Sequence, residues 1–369
     1  MPRVFIPHFF LILSLIGLMA GPLVGADSIP TYYFYHDLAY GTQANFNPAN
    51  VIINGGYGIL QIPYETDDEY ARKILDFPYD DWGRNVWQTV RHPLRTIDEF
   101  GWGRFINTEV LPFKLKENNN AWVPNYFLHL MAAGMLSRET EEWYRHQGVP
   151  WPRVWSVATM AVYHGLSEIV ENRGFDGVTV DHLADLYIFD PLGIWLFTND
   201  RVCRFFSRTL NLAEWSMQPA YNLKSGNLEN MGQFYVIKYP FTRDRKWQVM
   251  AHFGLHGMAG LSRRFASGDA LSAAAGFMVE DLVPTDPDQE EKVNKGVLTW
   301  RAGLFYDRDN SLQASLLVSN VPQRRLILNL YPGALHIGPV RPGLFVIGTH
   351  DWCVGLCVNV ISFGAAWGW

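Results

Sequence analysis

Apolar residues recur at helical spacing from about residue 51 to residue 215, and at a period of two from about residue 226 onward. The first half predicts short amphipathic helices. NVIINGGYGILQI is an apolar stretch with small residues on one side. Asp67, Asp68 and Glu69 then open a helix carrying Tyr70, Ile74 and Leu75, because acidic side chains in a first turn complement the helix dipole. WGRNVWQTVRHPLRTIDEFGWGRF is amphipathic and broken at Pro93. KENNNAWVPN is a polar turn that feeds FLHLMAAGML, where Ala132, Ala133 and Gly134 leave room for a neighbouring helix to approach closely. Pro150 and Pro152 precede the longest apolar helix, 154–170, which Gly174 and Gly177 end. DHLADLYIFDPLGIWLF follows, interrupted at Pro191. RVCRFFSRTLNLAEW closes this half. Arg201, Arg204 and Arg208 share one face there, and Phe205, Phe206 and Trp215 suit a membrane surface or an ordinary amphipathic core.

The second half reads as eight strand-like runs: QFYVIKYPF, KWQVMAHFGLHGMAGL, DALSAAAGFMVEDL, KGVLTWRAGLFYDR, SLQASLLVSN, RRLILNLYPG, PGLFVIGTH and WCVGLCVNVISFGAAWGW. Turn chemistry in DRDN, SGD, NVPQ and PTDPDQEEKVNKG separates them. In the second run Trp247, Val249, Ala251, Phe253 and Leu255 point one way and Gln248, His252 and His256 the other. The C-terminal run places Ile361, Phe363, Ala365, Trp367 and Trp369 on one face, as closing strands of outer-membrane barrels do. In lipid every strand must pair on both sides, so such a sheet is expected to close. The expected fold class is therefore α+β, an N-terminal helical domain followed by a C-terminal eight-stranded antiparallel membrane β-barrel. The competing architecture is a soluble barrel or sandwich. A barrel of eight strands is filled by its own side chains, with Arg301 and Arg325 expected in the lumen beside carboxylates such as Glu280, so a porin-type channel is not predicted.

Residues 1–26 have the layout of a secretory leader: Arg3, an apolar stretch, then small residues Val24-Gly25-Ala26 ahead of Asp27. The apolar run is short for a membrane span of about 20 residues. The domain organisation that follows is leader 1–26, helical domain 27–225 and outer-membrane β-barrel 226–369. A formal net charge of −6 with no basic patch excludes nucleic acid as a partner. The partners expected instead are outer-membrane lipids and the barrel assembly machinery, and the location is the bacterial outer membrane, with the helical domain at the periplasmic side or within the barrel region. Three cysteines do not make a disulfide framework, and Cys353 and Cys357 lie too far apart along one strand to bond to each other.

Candidate chemistry sits in the helical half. His164, Glu168 and Glu171 fall at i, i+4 and i+7 and share a face; Asp181 and Asp185 are also i and i+4; His129 stands alone in an apolar helix. Carboxylates on such helices cannot face lipid and must meet other helices, a water-filled cavity or the aqueous mouth of the barrel. Three readings follow. The carboxylates pair with His129, His164, His182 or helix-start amides and fix helix register. Or a His–carboxylate pair does general acid–base work on a lipid or envelope glycan, without the G-x-S-x-G element of a serine hydrolase. Or His164 and Glu168, with His129 or Asp185, form a mixed nitrogen–oxygen metal site, although H-E-x-x-H is absent.

The order of motifs resembles an uncharacterised bacterial outer-membrane family of the DUF3943 type, with a VanZ-like arrangement of polar helices. The resemblance spans roughly residues 50 to 200. It rests on Asn54, then Asn85 and Trp87, then Asn118, Asn119 and Asn120, then His129 and Gly134, then His164, Glu168 and Glu171, and finally Asp185, Pro191 and Gly193. The family's Trp-Glu-Tyr element is replaced by Tyr163-His164 with a later Glu168, and Asp181-His182 precedes Asp185. The resemblance implies a helical domain followed by a barrel, and no reaction, since the family has no settled activity. The function expected is a structural or lipid-interacting envelope protein. The alternative is a lipid- or envelope-glycan-modifying enzyme built on the candidate cluster His129, His164, Glu168, Glu171, Asp181 and Asp185. No cofactor is assigned.

Overall fold

The computed structural model describes residues 31–62, 73–112, 123–172, 180–284, 294–321, 324–335, 340–348, 351–358 and 361–368. The expected leader at 1–26 and acidic helix start at 67–69 lie outside the described residues, as do the 118–120 turn, Gly174 and Gly177.

The helical half opens with α1 (Gly41–Asn45) and α2 (Pro48–Gly56). Asn47 caps α2 by accepting from the Asn50 amide, and Pro48 follows at the first helical position, where its missing N–H costs nothing. Next come α3 (Tyr79–Val90), α4 (Pro93–Phe100) and α5 (Trp102–Phe105), then a π-helical run Val123–Ala133 that continues directly into α6 (Gly134–His146). The longest helix is α7 (Pro152–Asn172), close to the expected 154–170. After it come α8 (Asp181–Ala184), a π-helical turn Asp185–Phe189, α9 (Asp190–Leu196) and α10 (Asp200–Arg204). Gly55 and Gly56 let α2 lie directly on α7, because a Cβ at either would meet the ring of Tyr163 or the side chain of Leu166 at well under contact distance.

The N-terminal stretch before α1 is fastened by one carboxylate. Glu142 on α6 accepts from the backbone amides of Tyr33, Phe34 and Tyr35 at 2.9–3.0 Å and from Arg138 Nε at 2.9 Å, with its side chain fully buried. Arg138 reaches on to Asp200 at 3.1 Å. A buried carboxylate with this many donors is satisfied, which burial otherwise forbids.

The sheet corrects the expected eight-stranded antiparallel barrel. Among the described residues it has thirteen strands in the order β1-β4-β5-β6-β7-β8-β9-β10-β11-β12-β13-β2-β3, it is mixed rather than antiparallel, and its terminal strands β1 and β3 do not pair to close a barrel. The strands are β1 (Ala213–Glu214), β2 (Ala220–Asn222), β3 (Leu228–Glu229), β4 (Tyr235–Pro240), β5 (Trp247–Phe253), β6 (His256–Arg264), β7 (Asp269–Pro284), β8 (Asn294–Arg308), β9 (Ser311–Ser319), β10 (Leu326–Leu330), β11 (Pro342–Gly348), β12 (Trp352–Val358) and β13 (Ile361–Gly368). Two runs read from the sequence as single strands are hairpins: β5 turns into β6 at Gly254-Leu255, and β12 into β13. The three shortest strands precede the long ones. The mixed character comes from β13, which pairs parallel with β2 through Gly364↔Ala220 and Ala366↔Asn222.

The sheet curls so that one face of most strands meets in a shared interior. Trp215, Phe234, Met250, Phe305, Ile347, Cys353 and Ala366, from segments far apart in strand order, form one buried cluster. Between the short edge strands the chain is bridged by backbone bonds from Trp215 to Phe234 and from Met217 to Gly232. The same interior holds many polar side chains, among them Gln248, His252, His256, Ser262, Ser272, Arg301, Ser315 and Asn329. The alternation expected for β5 is observed, since Trp247 and Val249 face out while Gln248 and His252 are buried. Arg301 lies inside as expected, whereas Arg325 is exposed, which corrects its placement in the lumen. All three cysteines are free and buried.

Helices and sheet are tied by Asn54 on α2, which donates to the Met217 carbonyl at 3.1 Å and accepts from the Gly232 amide at 2.9 Å. Tyr235, Ile237 and Phe253 from β4 and β5 join the hydrophobic cluster of α6, α7 and the N-terminal stretch.

Glu142→Ala leaves three buried amides and Arg138 without their acceptor and is expected to cost about 3–5 kcal/mol of stability. Asp200→Asn, at an exposed partner of the same arginine, is expected to cost under about 1 kcal/mol. Denaturant unfolding of the two variants under the same conditions checks the contrast.

Candidate functional site

The polar helices converge because two glycines allow it. A Cβ on Gly134 would lie 2.6 Å from the Gly193 carbonyl oxygen, and one on Gly193 would lie 2.5 Å from that of Leu130. The end of the 123–133 run and α9 therefore cross backbone to backbone, with Ala132 and Ala133 buried beside the crossing. This contact brings His129 against the start of α9.

At the crossing, His129 Nδ1 lies 2.9 Å from Asp190 Oδ1, and His129 Nε2 lies 3.5 Å from Asp185 Oδ2. His164 on α7 enters from the other side, with Nδ1 3.1 Å from Asp190 Oδ2 at hydrogen-bond distance but not in hydrogen-bond alignment. The imidazoles of His129 and His164 are tilted, with centroids 5.5 Å apart. Asp185 and Asp190 are five residues apart, which on an α-helix would separate them by more than a third of a turn. The π-helical turn between them, with its i→i+5 bonding, puts both carboxylates on one face.

One turn further along α7, Glu168 hydrogen-bonds His182 of α8, and both side chains are buried. Asp181 and Glu171 add their charge to the surroundings of His182. Burial alone would lower the His182 pKa, but Glu168, with Asp181 and Glu171 beyond it, raises it above the ordinary histidine value. Burial opposes ionisation of Glu168 too, yet His182, His129 and His164 together hold it below the usual carboxylate range. The pair is an ion pair. At the crossing, burial would depress His129, but Asp185 and Asp190 raise it well above its ordinary value. His164, buried and beside the His129 cation, is pushed down to about 4 and stays a neutral imidazole. Burial raises Asp185 well above the usual range.

Of the six residues expected to form the cluster, His129, His164 and Asp185 meet directly, Glu168 lies behind them with His182, and Asp181 and Glu171 sit at the rim. Sequence spacing missed Asp190, the carboxylate that touches both histidines, and undervalued His182. The residue directly before a proline at a helix start was the available signal for Asp190, but helical counting from Asp181 and Asp185 steps past it. His164 and Glu168, which the enzymatic reading places on an open pocket, are each only 3% exposed.

A second polar group lies inside the sheet. His252 Nδ1 and His256 Nε2 are 2.5 Å apart, and Arg301 donates to His256 Nδ1 at 3.0 Å. Phe234 stacks on both imidazoles. Lys238 and Asp307 pair at 2.7 Å nearby. Comparison of the chain with protein-family models, with curated proteins and with solved structures finds no match.

Glu168→Gln leaves His182 buried without its counter-charge and is expected to destabilise the fold by about 3–5 kcal/mol near pH 5.5. Glu168 ionises below its unfolded value of 4.5, so its contribution is complete above that pH and fades as pH falls through the lower folded value. His182 titrates above its unfolded value of 6.5, so its contribution is complete below that pH and fades as pH rises through the higher folded value. The stability difference between wild type and variant is therefore expected to be largest between pH 4.5 and 6.5, in unfolding curves taken across pH.

Proposed function

We propose that the protein is a lipid-interacting structural component of a bacterial outer membrane, its curved sheet set in lipid and its helical domain at the periplasmic side. One observation carries this reading: the sheet is inverted. Its enclosed face gathers His, Arg, Gln, Ser and Asn side chains, while its outward face presents Leu261, Leu271, Phe277, Leu298, Trp300, Leu304, Val354 and Trp367, each between 49% and 64% exposed. An exposed apolar area of that extent is out of place against water and suits hydrocarbon. The aromatic residues Trp247, Trp300, Trp352 and Trp367 on the same face suit the interfacial belts where lipid meets water. The edge strands are two residues each, so little unpaired backbone would meet hydrocarbon.

A shallow outer-face groove adds support for lipid contact. It is lined by Trp247, Leu261, Phe265, Leu271, Leu304 and Leu316, with Arg263 at its rim packed over Trp247 and Phe265. An acyl chain along the apolar floor would place an anionic headgroup near that guanidinium. The Glu168–His182 pair supports a structural role for the helical domain, because both members are buried and bonded to each other.

After reconstitution into vesicles containing brominated lipid, the outward tryptophans are expected to lose most of their fluorescence. Leu304→Arg is expected to weaken insertion by about 2–4 kcal/mol. A protein that stays dispersed without detergent, with unquenched tryptophan and an indifferent Leu304→Arg variant, would overturn the reading.

A further inference from the structure

We propose that His129, His164 and Asp190 bind a divalent first-row transition ion, with Asp185 positioning His129 from behind. The three side chains offer donor atoms that all lie within 4.8 Å of one another. Four-coordinate zinc with bonds of about 2.0–2.1 Å needs donor separations of roughly 3.4 Å. His129 Nδ1 and His164 Nδ1 stand 2.9 and 3.1 Å from the two oxygens of Asp190, and donor atoms within 4.8 Å of one another reach that separation with relative shifts of no more than about 1.5 Å.

Three further features point to a ligand rather than a self-contained hydrogen-bond group. Asp190 Oδ2 is buried without a hydrogen-bond partner, in a side chain 7% exposed, and it faces His164 Nδ1. His129 presents its second nitrogen to Asp185, the carboxylate–histidine arrangement that sets the tautomer and basicity of a metal-bound imidazole. The donor set is two imidazoles and a carboxylate with no thiolate, which suits zinc and its first-row neighbours. His129 is the one member with appreciable exposure, 19% of its side chain, so an ion has an approach on that side. Three protein donors leave a position for water. Binding replaces the proton that His129 shares with Asp190, and that proton leaves to solvent. The site does not depend on the sheet lying in a membrane.

The test uses the full chain in detergent, stripped with chelator and titrated with Zn2+ and then with Co2+. The expected result is one equivalent bound, with proton release and a visible cobalt spectrum of four-coordinate type lacking a thiolate charge-transfer band. His164→Gln and Asp190→Asn are expected to lose at least 100-fold in affinity, Asp185→Asn about 10–100-fold, and His252→Gln, at the other buried histidine group, nothing. A wild-type protein that takes up no zinc at micromolar concentration overturns the proposal. So does a thiolate band, or unchanged affinity in folded His164→Gln. If Asp190→Asn fails to fold, the wild-type stoichiometry and cobalt spectrum with the His164→Gln and Asp185→Asn titrations still decide.

Discussion

Burying charge without water is the constraint on which both halves of this molecule depend. A carboxylate or guanidinium removed from solvent must find its counterpart inside the protein. Glu142 meets it with three consecutive amides and an arginine. Glu168 and His182 meet it as a pair, and Lys238 meets it with Asp307 beneath the ring of Trp215. Each pairing joins different elements, so each fixes how one element sits on another. The group around Asp190 differs, because there a single carboxylate faces two imidazoles. That difference separates a group that holds the fold from one arranged for something else.

The coupling of helices to sheet follows from the same constraint. Asn54 lies on a helix whose Gly55 and Gly56 press against α7, and its amide group completes backbone bonding where the sheet's first hairpin opens. The crossing that builds the His129 group is in turn seated on α7 through His164. A movement of α7 would be felt at both places, since one helix carries Tyr163 against α2 and His164 against Asp190.

Much of this was legible in the chain. The change of period near residue 226 marks where the long strands begin, and the faces of β5 were read correctly from alternation alone. The strand count failed for two physical reasons. Gly254-Leu255 makes a tight hairpin with none of the Asn-Gly or Asp-Gly chemistry that usually announces one. Strands of two or three residues, such as those at 213–229, are shorter than the period that would reveal them. Arg325 is exposed just before β10 begins at Leu326, and a run of two adjacent arginines gave no alternation to read. The cluster was half visible: α-helical spacing found His164, Glu168 and Asp185, but Asp190 becomes a neighbour only through a turn wider than 3.6 residues, which no helical wheel anticipates.

The parallel seam between β13 and β2 ties nearly the last described residues of the chain to a segment that emerges before any long strand. Its partners reach each other only after everything between them has been synthesised, so β2 must wait with an unfilled edge while the intervening hairpins zip up locally. Closing this seam is expected to be slower than forming the hairpins between its partners, and the sheet before closure exposes unpaired edge prone to misassociation.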